Sequence, residues 1–196
     1  MKKLIIVLLL YCSTSIAGEV NIFSARHYDS DLDLYNKFTE ETGIKINVVS
    51  GDDKALQKRI TEEDKDCVGD LYITSDAGRL GELESKEILQ KINWSEEIKN
   101  KVPKNFRSDA WVGIAKRARI LFYAPERVKE YEIQNLSYED LADPRWKGRI
   151  VIRQSDNIYN QSLIASLIEN NGKDKTLKWA KSIVNNMARS PKGNDR

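Results

Sequence analysis

The residues with the clearest chemical potential lie in the segment Ser24–Tyr28, in which the chain's single histidine, His27, directly precedes Tyr28. This segment follows a predicted first strand, Glu19 to Phe23, and precedes a predicted helix. Imidazole and phenol side chains at such a strand-to-helix turn can reach one ligand together. A phenolate oxygen is a hard donor, suited to a hard trivalent cation. The pair therefore favours one half of a ferric-iron site.

A second phenol, Tyr159, stands at the start of a predicted helix that ends near Asn171. Helix N-termini favour a nearby anion by roughly 0.3–1 kcal/mol, which helps a phenolate without creating one. A free tyrosine has a pKa near ~10, but a bound metal ion can displace the phenol proton directly. From residue types alone, two other interpretations stay open. His27 and Tyr28 could form an ordinary surface turn, and Tyr159 could be a helix-start aromatic that packs on its own lobe.

The first seventeen residues have the pattern of a secretory signal peptide. Lys2 and Lys3 form a basic start, Leu4–Leu10 an apolar run, and Ser15–Ala17 a small-residue cleavage site. The apolar run is shorter than the ~20 residues that a membrane-spanning helix needs. We therefore expect export to the periplasm and a mature chain that starts near Gly18.

Charge and cysteine content exclude several classes of function. Removing Lys2 and Lys3 with the signal peptide brings the formal net charge of +2 close to zero, and the charges are interspersed, so no nucleic-acid partner is expected. Loss of Cys12 leaves Cys67 alone, which predicts no intrachain disulfide. The chain also lacks a Gly-rich phosphate loop and a nucleophile with a placed base, so we do not expect an enzyme.

The first half of the mature chain alternates strands and helices, a pattern typical of a parallel sheet. Three strands are predicted at Glu19–Phe23, Ile44–Val49 and Leu71–Thr74. Ser30 is the predicted N-cap of the first helix and Gly43 marks its end, while Asp52 is expected to cap the second helix.

The second half of the mature chain does not show this regular alternation of strands and helices. Trp111–Tyr123 is predicted to be a long extended segment, followed by a short helix at Pro125. A further strand is expected at Arg149–Ile152, and the last two predicted helices are Tyr159–Asn171 and, roughly, Asp174–Ala188. After Ser190 the remaining residues have loop chemistry.

Several stretches, spread in order over nearly the whole mature chain, agree with one known family. They are Asn21–Ile46, Asp76–Leu80, Trp111–Gly113 with Arg117–Arg119, Asp143–Arg149 and Asn157–Ser162. In this order they resemble the ferric-iron-binding proteins of bacterial ABC importers, the Fbp/Fut type.

The resemblance implies an α/β fold of the type 2 periplasmic binding proteins, with two lobes, a hinge of extended segments and a cleft that closes on iron. The expected organisation is a signal peptide at residues 1–17, an N-terminal lobe at 18–119 and a second lobe at 120–196. The adjacent tyrosine pair of the family would fall beyond Arg196. The chain therefore resembles an N-terminal fragment whose second lobe is incomplete.

Carried onto matching positions, the resemblance implies metal ligands at His27 and Tyr28 from the first lobe and at Tyr159 from the second. Arg26 would hold an accompanying anion or a neighbouring carboxylate, or would simply be an exposed charge. Arg117 and Arg119 are expected to form structural ion pairs or to face the cleft. The Asp76–Leu80 motif is expected to start a helix.

The implied function is capture of Fe³⁺ and its delivery to the membrane permease of an ABC importer, with the binding protein acting as a monomer. Two alternatives stay open. One is a type 2 binding protein for another small solute, such as a polyamine or an anion. The other is a truncated product that binds nothing tightly.

Overall fold

The computed structural model describes residues 18–26 and 28–192, which fall into two units. The first unit extends to Ser75 and also includes Leu83–Ile88, while the second comprises Asp76–Glu82 and the chain from Leu89 onward. Within this described part, no helix is both long and apolar enough to cross a bilayer.

A parallel three-stranded sheet forms the centre of the first unit. Strand β1 (Glu19–Ser24) lies between β2 (Lys45–Ser50) and β3 (Leu71–Ile73), and Ile22 of β1 pairs with Val48 on one side and Leu71 on the other. The end of β1 is the most buried part of the sheet, since Ile22 is only 3% exposed and Phe23 is fully buried. The three predicted strands and their parallel arrangement are confirmed.

Two helices complete this unit, and local capping explains where most of their ends lie. Helix α1 (Asp29–Thr42) ends at Gly43, whose φ of 72° and N–H bond to the Thr39 carbonyl form the predicted C-terminal cap. Helix α2 (Asp53–Glu63) begins after Asp52, whose carboxylate accepts two backbone N–H groups as expected. The predicted N-cap at Ser30 is wrong, because α1 already begins at Asp29 and Tyr28 occupies the cap position.

Helix α3 (Ala77–Ser85) contributes residues to both units. The remaining helices belong to the second unit: α4 (Glu96–Lys101), α5 (Glu130–Ile133), α6 (Ile158–Asn171) and α7 (Lys173–Asn186). Gly172 joins α6 to α7 with φ 81° and ψ 160°, a conformation that side chains with a Cβ rarely adopt.

The core of the second unit packs α6 and α7 against the residues around Pro144. Its buried members are Trp146, Ile150, Leu167, Trp179 and Ile183. Trp179 also donates its indole N–H to the Tyr138 carbonyl at 2.6 Å, so that its polar atom is satisfied inside the core. The expected packing role of Trp179 is confirmed.

Two predicted elements of the second unit, the strand at Arg149–Ile152 and the helix at Pro125, differ from the structure, and the predicted extended segment Trp111–Tyr123 contains no regular strand. Residues 114–124 form neither helix nor strand, although Val112 makes one antiparallel bridge with Arg107. Residues 149–152 contribute only a bridge between Ile150 and Met187. Pro125 starts a turn, and the nearest helix begins at Glu130. The apolar pattern is present in residues 111–123 and 149–152, but a strand also requires a hydrogen-bonded neighbour.

Candidate functional site

Tyr28 lies at the N-cap of α1, and its side chain is 50% exposed. The guanidinium carbon of Arg26 lies 4.9 Å from the centroid of the Tyr28 ring, within the range of a cation–π contact. Arg26 thus helps to fix the tyrosine ring at the end of β1. His27 lies outside the described residues.

Arg26 is engaged by a carboxylate on the first turn of α1. Its Nε and Nη2 donate to the two oxygens of Asp31 at 2.8 and 3.0 Å, a bidentate ion pair. The hydrogen bond to Asp31 raises the pKa of Arg26, and the hydrogen bond from Arg26 lowers the pKa of Asp31. Of the expected roles of Arg26, contact with a neighbouring carboxylate is the one that the structure shows.

Tyr159 is the second residue of α6, in the first turn of the helix. The side chain of Asn157 caps this helix by accepting the Tyr159 N–H at 3.0 Å. The predicted start of this helix, at Tyr159, is confirmed within one residue. The position at a helix N-terminus places the phenol where a negative charge is favoured.

Three arginines surround the Tyr159 ring. The guanidinium carbons of Arg117, Arg119 and Arg153 lie 5.3, 5.4 and 5.5 Å from its centroid. Arg117 also donates from Nη2 to the Tyr159 hydroxyl oxygen at 3.3 Å. This electropositive surrounding favours a bound anion near the ring. Arg153 was not predicted, because its position in the chain gives no local signal.

Asp76 connects Arg119 to the helices α3 and α6. Its Oδ1 accepts the Gly78 N–H at 2.9 Å at the start of α3, and its Oδ2 lies 3.4 Å from Nη2 of Arg119. The Ser162 hydroxyl on α6 contacts both carboxylate oxygens, at 2.9 and 2.8 Å. The expected helix-start role of Asp76 is confirmed. Its link to Ser162 was missed, since sequence patterns do not reveal pairs so far apart.

No group of three or more His, Cys, Asp or Glu side chains suited to a metal ion occurs among the residues that the structure describes. The donors implied by the sequence are different: phenol oxygens at Tyr28 and Tyr159, with His27 beside the first. Such oxygens suit a hard trivalent cation better than zinc or copper. Phenol oxygens of this kind suit ferric iron, and the role of these residues as ligands stays a prediction.

The similarities of this chain to known proteins all indicate one family of binding proteins. A model of the bacterial extracellular solute-binding proteins matches residues 68–196. Iron uptake protein A1 of Synechocystis sp. is 46% identical over 179 residues, which cover 90% of this chain and 49% of that protein. The Fe(3+)-binding periplasmic protein of Serratia marcescens is 25% identical, with 88% of this chain and 50% of that protein covered.

Similar solved structures indicate the same family. The Trichodesmium FutA (IdiA) protein in complex with iron and citrate ligands is 48% identical, with a TM-score of 0.82. That alignment covers 91% of this chain and 56% of the solved chain. The fold is thus that of the Fbp/FutA type 2 periplasmic binding proteins, of which this chain represents a part. The chain spans about half the length of the curated relatives it matches. By the family model that covers most of its length, the chain belongs to the bacterial extracellular solute-binding proteins.

Proposed function

We propose that this chain is the ferric-iron-binding component of an ABC importer, which captures Fe³⁺ in the periplasm and delivers it to a membrane permease. The observation that carries the proposal is the 48% identity to a protein solved with iron and citrate. The names of further relatives support it, since they describe iron uptake and periplasmic Fe(3+) binding. We propose iron uptake and periplasmic Fe³⁺ binding for this chain on the basis of that similarity.

The proposed iron ligands are His27 and Tyr28 from the first unit and Tyr159 from the second. Ligand binding requires deprotonated phenols, and the charge of Fe³⁺ favours their ionisation directly. Protonation of the phenolates would then release iron. Reduction of the metal would also release it, because ferrous iron is softer than ferric iron and is less well matched to phenolate oxygens.

The arginines suggest how charge is balanced. Arg117, Arg119 and Arg153 place positive charge next to Tyr159, which would attract an anion that accompanies iron. Arg26 is already paired with Asp31. We therefore propose that Arg26 mainly orients the Tyr28 ring, and that its contact with an anion is secondary.

The remaining parts of the proposal concern organisation. Residues 1–17 would act as a cleaved signal peptide. The functional lobes would be residues 18–119 and 120–196. The protein would act as a monomer that binds and delivers its solute without chemical turnover.

A second candidate is favoured by the same arginines: a small anion could be the solute itself, without iron. The two functions differ in their optical properties. Ferric phenolate coordination produces a visible charge-transfer band, whereas an organic or inorganic anion bound alone produces none.

The test is a titration of the purified full chain with ferric citrate, followed by visible absorbance, with citrate alone as the matched titrant. We expect a visible band that saturates near one iron per chain. Tyr28→Phe and Tyr159→Phe should each lose or shift the band. Tyr131→Phe serves as the control, because Tyr131 is 79% exposed on α5 and has no place in the proposed site.

Three results would contradict the proposal. An equally strong response to citrate alone would support the anion alternative. A band unaltered in Tyr159→Phe would remove Tyr159 from the site. The absence of any saturable response would support the interpretation of a polypeptide that does not bind by itself.

A further inference from the structure

The junction between α6 and α7 contains the only Asn-Gly pair in the sequence, Asn171 followed by Gly172. Asparagine is one of the thermolabile residue types. It loses its side-chain amide when the backbone nitrogen of the next residue attacks the amide carbon. Glycine obstructs this attack least, because it has no side chain and adopts conformations that other residues avoid. Asn171 is therefore the asparagine of this chain whose sequence context most favours deamidation.

Two charged side chains hold the amide of Asn171 in one orientation. Its Nδ2 donates to Oε1 of Glu139 at 2.7 Å, and Nζ of Lys175 donates to its Oδ1 at 3.2 Å. An ionised carboxylate only accepts and an ammonium only donates, so the flipped amide would not satisfy both partners. The hydrogen bond from Asn171 is also the main cause of the lowered pKa of Glu139. Rotation of the amide would break both contacts.

The backbone nitrogen that would attack this amide is restrained as well. The Gly172 N–H donates to the Ile168 carbonyl at 2.8 Å, and this bond closes the last turn of α6. The Gly172 carbonyl accepts both the backbone N–H and the hydroxyl of Thr176, at 3.1 and 2.9 Å, at the start of α7. Thr176 is only 3% exposed, so these bonds anchor the junction to a buried residue. The closed junction therefore restrains both reacting groups.

We propose that Asn171 is a modification site that the closed junction protects and that deamidates when the junction unfolds locally. The Gly172 nitrogen would bond to Cγ of Asn171 as the Cγ–Nδ2 bond breaks, and the amide nitrogen would leave as ammonia with the Gly172 proton. Water would then open the cyclic imide at either carbonyl. Overall, one water is consumed, one ammonia is released, and aspartate or isoaspartate results. Water is available, because Gly172 is exposed.

The product would fit the closed junction poorly. An aspartate carboxylate cannot donate to Glu139, so two negative charges would face each other where a 2.7 Å hydrogen bond now lies. The last turn of α6 has no basic residue, and negative charge at a helix C-terminus is unfavourable. Isoaspartate would also lengthen the backbone by one atom and displace the bond from Gly172 to Ile168. Deamidation would thus weaken the junction permanently, and this inference goes beyond the proposed function.

The test incubates the purified full chain in mildly alkaline buffer, with and without guanidinium chloride, and locates deamidation by mass spectrometry. Trypsin should release Gln154–Lys173, in which Asn157, Asn160 and Asn170 serve as internal controls. In denaturant we expect Asn171 to be the dominant site in this peptide, with isoaspartate as well as aspartate as product. Without denaturant its rate should be at least about tenfold lower, because the reaction requires local opening.

Variants test the restraint on the amide. Glu139→Ala frees the Asn171 amide and should raise its deamidation rate in the folded chain by at least about threefold. Glu169→Ala is the matched control, because Glu169 lies exposed on the same helix as Asn171. In denaturant both variants should react like the wild type. Circular dichroism verifies that each variant is folded before incubation.

A further variant imitates the aspartate product. Asn171→Asp should raise the unfolding equilibrium constant by about threefold to tenfold, since a hydrogen bond is replaced by a repulsion between like charges. Addition of Glu139→Gln should recover most of this loss, because a glutamine amide can donate to the new carboxylate. Denaturation curves of the single and double variants provide the measurement.

Three outcomes overturn the inference. If Asn171 reacts no faster than Asn170 in denaturant, the Asn-Gly pair is not a reactive site. If Asn171 reacts equally fast in the folded and the denatured chain, the junction gives no protection. If Asn171→Asp is as stable as the wild type, deamidation leaves the junction intact. None of these readouts involves iron, so failure here does not bear on the proposed function.

Discussion

The Ser162 hydroxyl on α6 contacts both carboxylate oxygens of Asp76, at 2.8 and 2.9 Å, although 86 positions separate the two residues in the chain. Asp76 immediately precedes α3 and is part-buried, with 13% of its side chain exposed. The contact therefore ties the N-terminal part of α6, which also carries Tyr159, to the start of α3. Both ends of this contact lie in the second unit.

Removal of this hydrogen bond should lower stability. We expect Ser162→Ala to reduce the free energy of unfolding by about 1–2 kcal/mol, since the acceptor is charged and part-buried. Urea denaturation provides the measurement. Ser166→Ala, one turn further along α6 and exposed, is the control and should change little.

A double-mutant cycle separates the two side-chain partners of Asp76. The coupling of Asp76→Ala with Ser162→Ala should be about 1 kcal/mol. Coupling with Arg119→Ala should be below about 0.5 kcal/mol, because Arg119 is partly exposed and its contact is 3.4 Å long. A larger coupling with Arg119 would show that the ion pair dominates.

The pair Arg26–Asp31 predicts a pH dependence. The hydrogen bond from Arg26 lowers the pKa of Asp31 in the folded state. A group with a depressed folded pKa stabilises the protein above its unfolded pKa, about 3.9 for Asp, and loses that contribution as pH falls through the folded value. We expect Asp31→Asn to cost about 1 kcal/mol at neutral pH and progressively less below about pH 4.

Urea denaturation of wild type and Asp31→Asn at several pH values tests this prediction. Asp33→Asn is the matched control, because Asp33 lies exposed on the same helix. A difference between wild type and Asp31→Asn that stays constant from neutral pH to pH 3 would exclude the assigned role of the ion pair.

Trp179 should be the most sensitive position in the core of the second unit. It is 7% exposed, and its indole donates a hydrogen bond to Tyr138. Trp179→Ala should cost about 3–5 kcal/mol, and Trp179→Phe distinctly less, since most of the packing survives. Lys178 is the exposed neighbour of Trp179, and Lys178→Ala should give a denaturation curve close to that of the wild type.

Two glycines should respond in opposite directions to the same substitution. A Cβ meets nothing within 4 Å at either Gly172 or Gly81, so sterically both sites are open. Gly172 has φ +81°, and alanine there should destabilise the protein by about 1–3 kcal/mol. Gly81 lies inside α3, and alanine there should stabilise it by about 0.4–1 kcal/mol. Gly172→Ala should melt at a lower temperature than the wild type, and Gly81→Ala should melt at a higher one.

Local features of the fold could be predicted from the sequence, while features that depend on distant partners could not. The caps at Asp52 and Gly43 were correct because they depend on neighbouring residues only. The strand predicted at Arg149–Ile152 was wrong because its apolar pattern is local, whereas a strand also requires a hydrogen-bonded neighbour, and only one bridge, between Ile150 and Met187, is formed there.

The same distinction applies to the site. The helix start at Tyr159 was predictable from its motif and is confirmed. The contacts of Tyr159 with Arg153, and of Asp76 with Ser162, were not predictable, because no spacing rule connects those positions. The roles of His27, Tyr28 and Tyr159 as iron ligands stay predictions.

The most direct measurement of the central claim is a resonance Raman spectrum of the chain loaded with ferric citrate, excited in its visible band. If Tyr159 ligates iron, the wild-type spectrum should contain tyrosinate vibrations that lose intensity in Tyr159→Phe and persist in Tyr131→Phe. Bound iron without tyrosinate vibrations, or a spectrum identical in Tyr159→Phe, would contradict the account.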